Sequence, residues 1–213
     1  MKLINKPSNM TLRSFILFFL SSLLLAGCSS VPESVTSVEW QAHEQRLETI
    51  QDFQATGGKL GYIGPDQRQN LNFYWKHSSA LSQLRLTTIL GQTALKLTIT
   101  HQGATVETYD DQVLSSRSAN QLIYRLTGLM MPVDHMPDWL LVLPTDADKF
   151  QLSPTNTLQA LNKQIGLNDW SIAYQRYGDV QWHEQSLPLP NKLKLTTADV
   201  KINLVITKWN ITQ

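Results

Sequence analysis

Residues 71–99 read LNFYWKHSSALSQLRLTTILGQTALKLTI, and their alternation decides the fold. Leu71, Phe73 and Trp75 fall on one side of an extended chain, with Asn72, Tyr74 and Lys76 on the other. Leu84 and Leu86 repeat the pattern, then Leu95, Leu97 and Ile99. Successive side chains of a strand point to opposite faces, so a period of two with one apolar side marks antiparallel strands with one buried face. The pattern returns downstream in Trp170, Ile172 and Tyr174, in Leu193 and Leu195, and in Val200, Ile202, Leu204 and Ile206. Many such strands at short spacing predict one strongly curved sheet or a barrel.

Three stretches break the alternation. Residues 37–50 carry Trp40, Leu47 and Ile50 among charged residues and predict a helix. Residues 118–126 predict a second: Ser118 and Gln121 have capping-box spacing, Ala119, Leu122, Ile123 and Leu126 form a stripe, and Gly128 stops it. Residues 134–143 predict a third, with Asp134 as N-cap, an early Pro137, Met136, Trp139, Leu140 and Leu143 on one side, and Pro144 as terminator. The last two stand between two groups of strands, and the simplest partner for their stripes is the apolar face of the sheet. Met130, Met131 and Met136 cluster here, as suits irregular gaps and adaptable surfaces. Such stripes serve an ordinary filled core or a ligand cavity equally well, and the residues leave both open.

The link between the strands near 81–87 and 92–99 is Thr88-Ile89-Leu90-Gly91. Gly91 suits a tight connection, but Ile89 and Leu90 put two large apolar side chains where a hairpin tip is ordinarily polar. Either the tip folds back on the core, or the strands run on and the turn lies elsewhere, or it is an exposed apolar prong.

Outward from this body, the N-terminus holds Lys2, Lys6 and Arg13, no acidic residue, and an apolar run from Phe15 to Ala26. That is the layout of an export signal, and the run is short for a membrane span, which needs about 20 apolar residues. It ends in Leu25-Ala26-Gly27-Cys28, a lipobox-like sequence in which the Cys28 thiol would receive lipid. Cys28 is the only cysteine, so no intrachain disulfide can form. The expected organisation is a signal at 1–27, a lipidated N-terminus and linker at 28–37, and one domain at 38–213. Removing the signal takes three of the 18 basic residues and leaves fifteen against 17 acidic, a formal charge of −2. That balance offers no footprint for nucleic acid.

The chain lacks a phosphate-binding Gly-x-x-x-x-Gly-Lys loop, a Gly-x-Ser-x-Gly elbow and a His-Glu-x-x-His pair. His43, His77, His101, His135 and His183 are scattered, and Asp110-Asp111 and Asp146/Asp148 sit in turn-like contexts. Neither a catalytic site, a metal site nor a cofactor is expected.

Several short motifs together resemble one family. Thr56-Gly57 through Tyr62, Leu90-Gly91-Gln92-Thr93, Leu126-Thr127-Gly128 with Pro132, Trp139 to Leu143-Pro144, Trp170-x-x-x-Tyr174, Pro190-x-x-Leu193-x-Leu195-Thr196 and a closing strand to Trp209 occur in the order and spacing of the LolB family. Two positions depart from it: Ile89 stands where the family has Pro, and Val142 where it has Gly. The resemblance implies a mainly β (α+β) fold, a single curved antiparallel sheet forming an open half-barrel, capped by about three helices over an apolar cavity. It implies an outer-membrane lipoprotein receptor, non-enzymatic and monomeric, that accepts lipoproteins from a LolA-like periplasmic carrier and inserts them into the outer membrane. Ser29, in place of an Asp that would mark inner-membrane retention, fits the outer membrane. Cys28 becomes the lipid attachment site, and Ile89, Leu90 and Gly91 the membrane-insertion hairpin. The acyl-chain cavity would be lined by Leu71, Phe73, Trp75, Leu84, Leu86, Leu95, Leu97, Leu122, Leu126, Met136, Trp139, Leu143, Ile172, Ile202 and Leu204. The nearest alternatives are a lipid-anchored, lipocalin-like binder of small hydrophobic molecules, a structural lipoprotein with a filled core, and a lipid hydrolase.

Overall fold

The computed structural model describes residues 38–108 and 112–212. The signal, Cys28, the linker and Asp110-Asp111 lie outside the described residues. The period-two runs pair into one antiparallel sheet of twelve strands. In chain order these are β1 (Phe53–Ile63), β2 (Arg68–His77), β3 (Leu81–Thr87), β4 (Thr93–Thr100), β5 (Gly103–Glu107), β6 (Val113–Ser116), β7 (Lys149–Leu152), β8 (Leu158–Ile165), β9 (Asn168–Trp182), β10 (Gln185–Thr196), β11 (Lys201–Val205) and β12 (Lys208–Ile211). The spatial order is β6-β5-β4-β3-β2-β1-β11-β10-β9-β8-β7, with β12 continuing beside β1. The edge strands β6 and β7 do not pair with each other, so the sheet is an open half-barrel and not a closed one.

One strand holds the two halves of the chain together. β1 pairs with β2 along one side, and on the other with β12 over residues 53–56 and with β11 over 59–63. A bulge between Ala55 and Gly58 lets it change partner. Prolines 188 and 190 lie in β10 below its pairing with β11, which spans 192–196, so no ladder bond on that side is lost.

Among the described residues, three helices accompany the sheet: α1 (Trp40–Glu48), α2 (Ala119–Thr127) and α3 (Met136–Leu140). In α2, Ser118 accepts the N–H of Gln121, and Gly128, with φ of 68°, returns its N–H to the Tyr124 carbonyl. α1 is shorter than the expected 37–50. Glu39 caps it by accepting the N–H groups of Gln41 and Ala42. α3 departs further, covering five residues instead of 134–143. Its N-cap is His135, not Asp134, and makes no side-chain bond. The helix stops because Val142 turns left-handed at φ of 57°. A β-branched residue there costs about 1–3 kcal/mol. Complete burial of the Val142 side chain, worth about 1.5–3 kcal/mol, offsets the strain. The turn that glycine would supply is therefore kept without it.

The topology dictates where α2 and α3 must lie. β6 and β7 are opposite edges of the sheet, and residues 117–148 join them. The connection crosses the mouth of the half-barrel, carrying both helices. α2 packs on β5 and β6. α1 instead docks beside β7 and the β9–β10 hairpin, through a tilted Trp40–Phe150 ring pair and an Arg46–Gln185 hydrogen bond.

On α1, His43 is fully buried and neither ring nitrogen has a hydrogen-bond partner. Burial, and then the neighbouring Arg46 charge, lower its pKa from 6.5 to about 4. The unfolded chain thus binds a proton that the folded chain refuses. Titration of His43 leaves stability unchanged well above pH 6.5, and it destabilises progressively as pH falls from 6.5 to about 4, by up to about 1.4 kcal/mol per pH unit. Denaturant unfolding of wild type and His43→Leu at pH 7.5 and pH 5 is expected to show a smaller acid-side loss in the variant; equal losses would remove His43 as a cause.

Candidate functional site

The candidate site is the inner face of the half-barrel and the segment that closes it. Register carries apolar residues across the sheet in continuous rows. Leu71 faces Leu60, Leu60 faces Leu204, Leu204 faces Leu193 and Leu193 faces Tyr174. A second row runs Tyr62, Ile202, Leu195, Ile172, Leu161. On the far flank Trp75 faces Leu84, Leu84 faces Leu97 and Leu97 faces Val106, while Phe73, Leu86 and Leu95 make a parallel row. Each pair holds its side chains about 4.5–5.5 Å apart on one face, so the rows fuse into a single apolar surface.

The residues assigned to the cavity from the sequence all lie in this surface or against it. Leu71, Phe73, Trp75, Leu84, Leu86, Leu95, Leu97, Ile172, Ile202 and Leu204 are buried on the sheet side. Leu122, Met136, Trp139 and Leu143 are buried on the crossover side, and Leu126 is half-buried against the same core. The inner face is broader than that set. Ile123, Val133, Leu140 and Val142 are fully enclosed too. Ile123 was legible in the α2 stripe. Val133 and Val142 were not, because they lie in turns without a period. Trp75 keeps a buried indole N–H with no hydrogen-bond partner, a donor left free within the apolar surface.

Polar contacts fasten the crossover to the sheet. The Met130 N–H donates to the Tyr62 hydroxyl at 3.2 Å. The Tyr174 hydroxyl donates to the Trp139 carbonyl at 2.9 Å, and Gln67 Nε2 donates to the Thr127 carbonyl at 3.0 Å. Burial, and then Asp138, hold the Tyr174 phenol well above its ordinary pKa, so it stays a protonated donor. In the sequence Tyr62 and Tyr174 are strand residues with no role of their own. The signal is a tyrosine on an apolar strand face, since a buried phenol finds a polar partner.

The hairpin joining β3 and β4 stands outside this enclosure. Thr88 N–H donates to the Gln92 carbonyl and Gly91 N–H to the Thr88 carbonyl. Ile89 takes the second position of the turn, and Gly91 follows at φ of 85°. That second position favours Pro but accepts most residues, so Ile89 keeps the turn without one. Ile89 is 76% exposed and Leu90 84%. The tip therefore does not fold back on the core.

Loss of the Tyr174 hydroxyl would remove one of two donors to the buried Trp139 carbonyl, which keeps the Val142 N–H, at about 0.5–1.5 kcal/mol. Tyr174→Phe is expected to lower the melting temperature and to speed entry of a hydrophobic fluorescent probe in stopped-flow mixing. Slower or unchanged entry would deny the crossover a gating role.

Residues 51–209 match the family described as "Outer membrane lipoprotein LolB". An outer-membrane lipoprotein LolB of Vibrio parahaemolyticus serotype O3:K6 is 89% identical over 204 residues, covering 96% of this chain and 100% of the relative. That of Vibrio campbellii is 87% identical with the same coverage. Among solved structures, an outer membrane lipoprotein-sorting protein domain from Vibrio parahaemolyticus superposes with a TM-score of 0.53 at 8% identity, covering 81% of this chain and 90% of that one. That likeness concerns the fold alone.

Proposed function

The chain belongs to the LolB family of outer-membrane lipoproteins, and from that premise we propose how its parts serve the receptor's task. It is a lipid-anchored receptor of the outer membrane that functions in lipoprotein localisation and inserts lipoproteins into that membrane; it is not an enzyme. The proposal assigns residues 1–27 to an export signal, 28–37 to a tether lipidated at Cys28, and 38–213 to the receptor domain, acting as a monomer. The donor is a LolA-like periplasmic carrier, and the occupant of the inner face is the set of acyl chains on the cargo.

The observation that carries this reading is the contrast between two apolar surfaces. One is enclosed beneath a crossover held by a few hydrogen bonds, and the other, Ile89 and Leu90, is held out in solvent. A chain of about sixteen carbons leaving a carrier would cost roughly 12 kcal/mol in water, at about 0.8 kcal/mol per CH₂. A receptor must therefore offer apolar surface at the moment of handover. Lifting the crossover breaks the Tyr62, Tyr174 and Gln67 contacts at about 1 kcal/mol each. The cargo's chains offset that and replace the crossover against Phe73, Trp75, Leu84, Leu97 and Ile202. The Trp75 indole N–H is placed to donate to an ester or amide carbonyl at the head of the chain. With no nucleotide consumed, transfer runs down a gradient of affinity from carrier to receptor to bilayer.

The tip has the last step. One leucine contributes at most about 1.5–3 kcal/mol, too little to hold a protein on a membrane. Anchorage by lipid makes that contribution local and repeated. Leu90→Glu is expected to change stability by no more than about 0.5 kcal/mol and to take labelled lipoprotein from the carrier normally. Its delivery to liposomes should fail. Normal delivery would refute the role of the tip, and a collapsed melting temperature would return Leu90 to the core. Ile89→Glu/Leu90→Glu checks whether Ile89 compensates. Mass spectrometry of the native protein is expected to find acylated Cys28 at the N-terminus; an intact signal or a bare thiol would overturn the anchor.

A further inference from the structure

Leu167 is the most exposed large apolar residue among those described, at 100%. It forms the β8–β9 turn with Gly166, whose φ is 60° and around which a Cβ would meet nothing within 4 Å. A two-residue hairpin tip is ordinarily polar. This chain therefore has a second apolar tip, and its direction follows from the sheet.

From β3 to β8 the neighbours are β2, β1, β11, β10 and β9, and every adjacent pair is antiparallel. Six reversals leave β3 and β8 running the same way. The turn after β3, with Ile89 and Leu90, and the turn after β8, with Leu167, thus emerge at the same end of the half-barrel. Val113, 63% exposed, starts β6 at that end as well. The four most exposed large apolar residues described are gathered there. At the opposite end the turns are small or polar: Ser78-Ser79-Ala80, His101-Gln102 and His183-Glu184.

We propose that Leu167 is a second point of contact with the phospholipid bilayer, so that the molecule meets its membrane on two apolar tips rather than one. The proposal rests on the reading of the Leu90 tip given above and extends it to the other flank of the sheet. A single prong leaves the protein free to swivel about it. Two prongs, separated by the four strands β2, β1, β11 and β10, fix an axis and hold the mouth of the half-barrel in a defined orientation to the lipid. The tether permits the pose. Val38 binds the Thr155 carbonyl in the β7–β8 turn, which lies at the polar end. Ten residues from Cys28 to Val38 reach at most about 35 Å. The eight residues of β8, which lead from that end to Leu167, span about 26 Å. Anchored lipid and apolar tips can therefore meet one membrane surface. Asp66 and Asp199 occupy the turns between the two tips, so contact is expected to be by the tips and shallow.

The test uses the full-length, lipid-anchored chain in phosphatidylethanolamine/phosphatidylglycerol vesicles. With the Cys28 thiol acylated, a single introduced cysteine can carry an environment-sensitive nitrobenzoxadiazole label, at Asn168→Cys beside the second tip, Gln92→Cys beside the first, or Gln102→Cys at the polar end. Labels at 168 and 92 are expected to shift to the blue and lose iodide quenching on reconstitution, while the label at 102 remains open to iodide. Adding Leu167→Ser is expected to raise iodide quenching at 168 by about threefold or more, leaving the label at 92 and the melting temperature unchanged. If 168 is as open to iodide as 102 while 92 is shielded, the second contact is overturned and the Leu90 reading stands. If 168 is shielded and 92 is open, the Leu90 reading fails and this one holds. Both sites open overturns both. Shielding of 168 only when the soluble carrier is added makes Leu167 a protein-docking tip and overturns the bilayer contact.

Discussion

An open sheet whose inner face is apolar from edge to edge must be covered. In this chain the covering is obliged by connectivity. β6 and β7 are the two free edges, and the 32 residues from 117 to 148 have to pass between them. The rows of Leu, Ile, Phe and Trp across β1 to β11 set how much apolar area that passage must shield. At about 25 cal/mol per Å² the burial outweighs every individual polar contact in the molecule. The short α3, the left-handed Val142 and the buried run from Leu140 to Leu143 are consequences: the crossover bends where the inner face needs side chains, even against local backbone preference.

On the proposed reading, the same arrangement makes the cover removable. It is not a strand of the sheet; its middle is fastened by hydrogen bonds at Tyr62, Tyr174 and Gln67 together with apolar contact, while Asp146 and Asp148 at its end are tied to β8. An acyl chain supplies apolar contact of the same kind and in greater amount. The proposed exchange of cover for cargo would therefore ask only for small directional terms to be given up. A closed barrel would lack this freedom, since opening it would break a whole ladder of strand bonds.

Polarity along the strand direction matters as much as polarity across the sheet. The inner face is apolar because each strand alternates. The ends of the sheet differ because of what occupies the turns, and turns carry no period. Ile89, Leu90 and Leu167 satisfy no packing requirement of the fold. Their exposure is a cost in solubility, which the proposed contact with a bilayer would offset.

Alternation in residues 71–99, 170–174 and 193–206 determined by itself that the protein is a sheet with one buried face, because a strand's side-chain period is geometric and needs no partner. The Ser118 cap and the Gly128 stop likewise located α2, since capping is a local hydrogen-bond requirement. Leu90 stood out as anomalous in sequence, but whether it pointed outward depended on its turn and neighbours. The limits of α3 were misplaced because Leu141, Val142 and Leu143 continue an apolar pattern while the backbone turns away from the helix, a choice made by burial and not by propensity. Tyr62 and Tyr174 became latches only when the crossover came within hydrogen-bond reach, 68 residues away in one case and 35 in the other. Leu167 joined Leu90 at one end only through the parity of six antiparallel pairings. Local periodicity is written in neighbouring residues; which distant residues share a face, a latch or an end is decided by strand order, and strand order is a property of the folded chain.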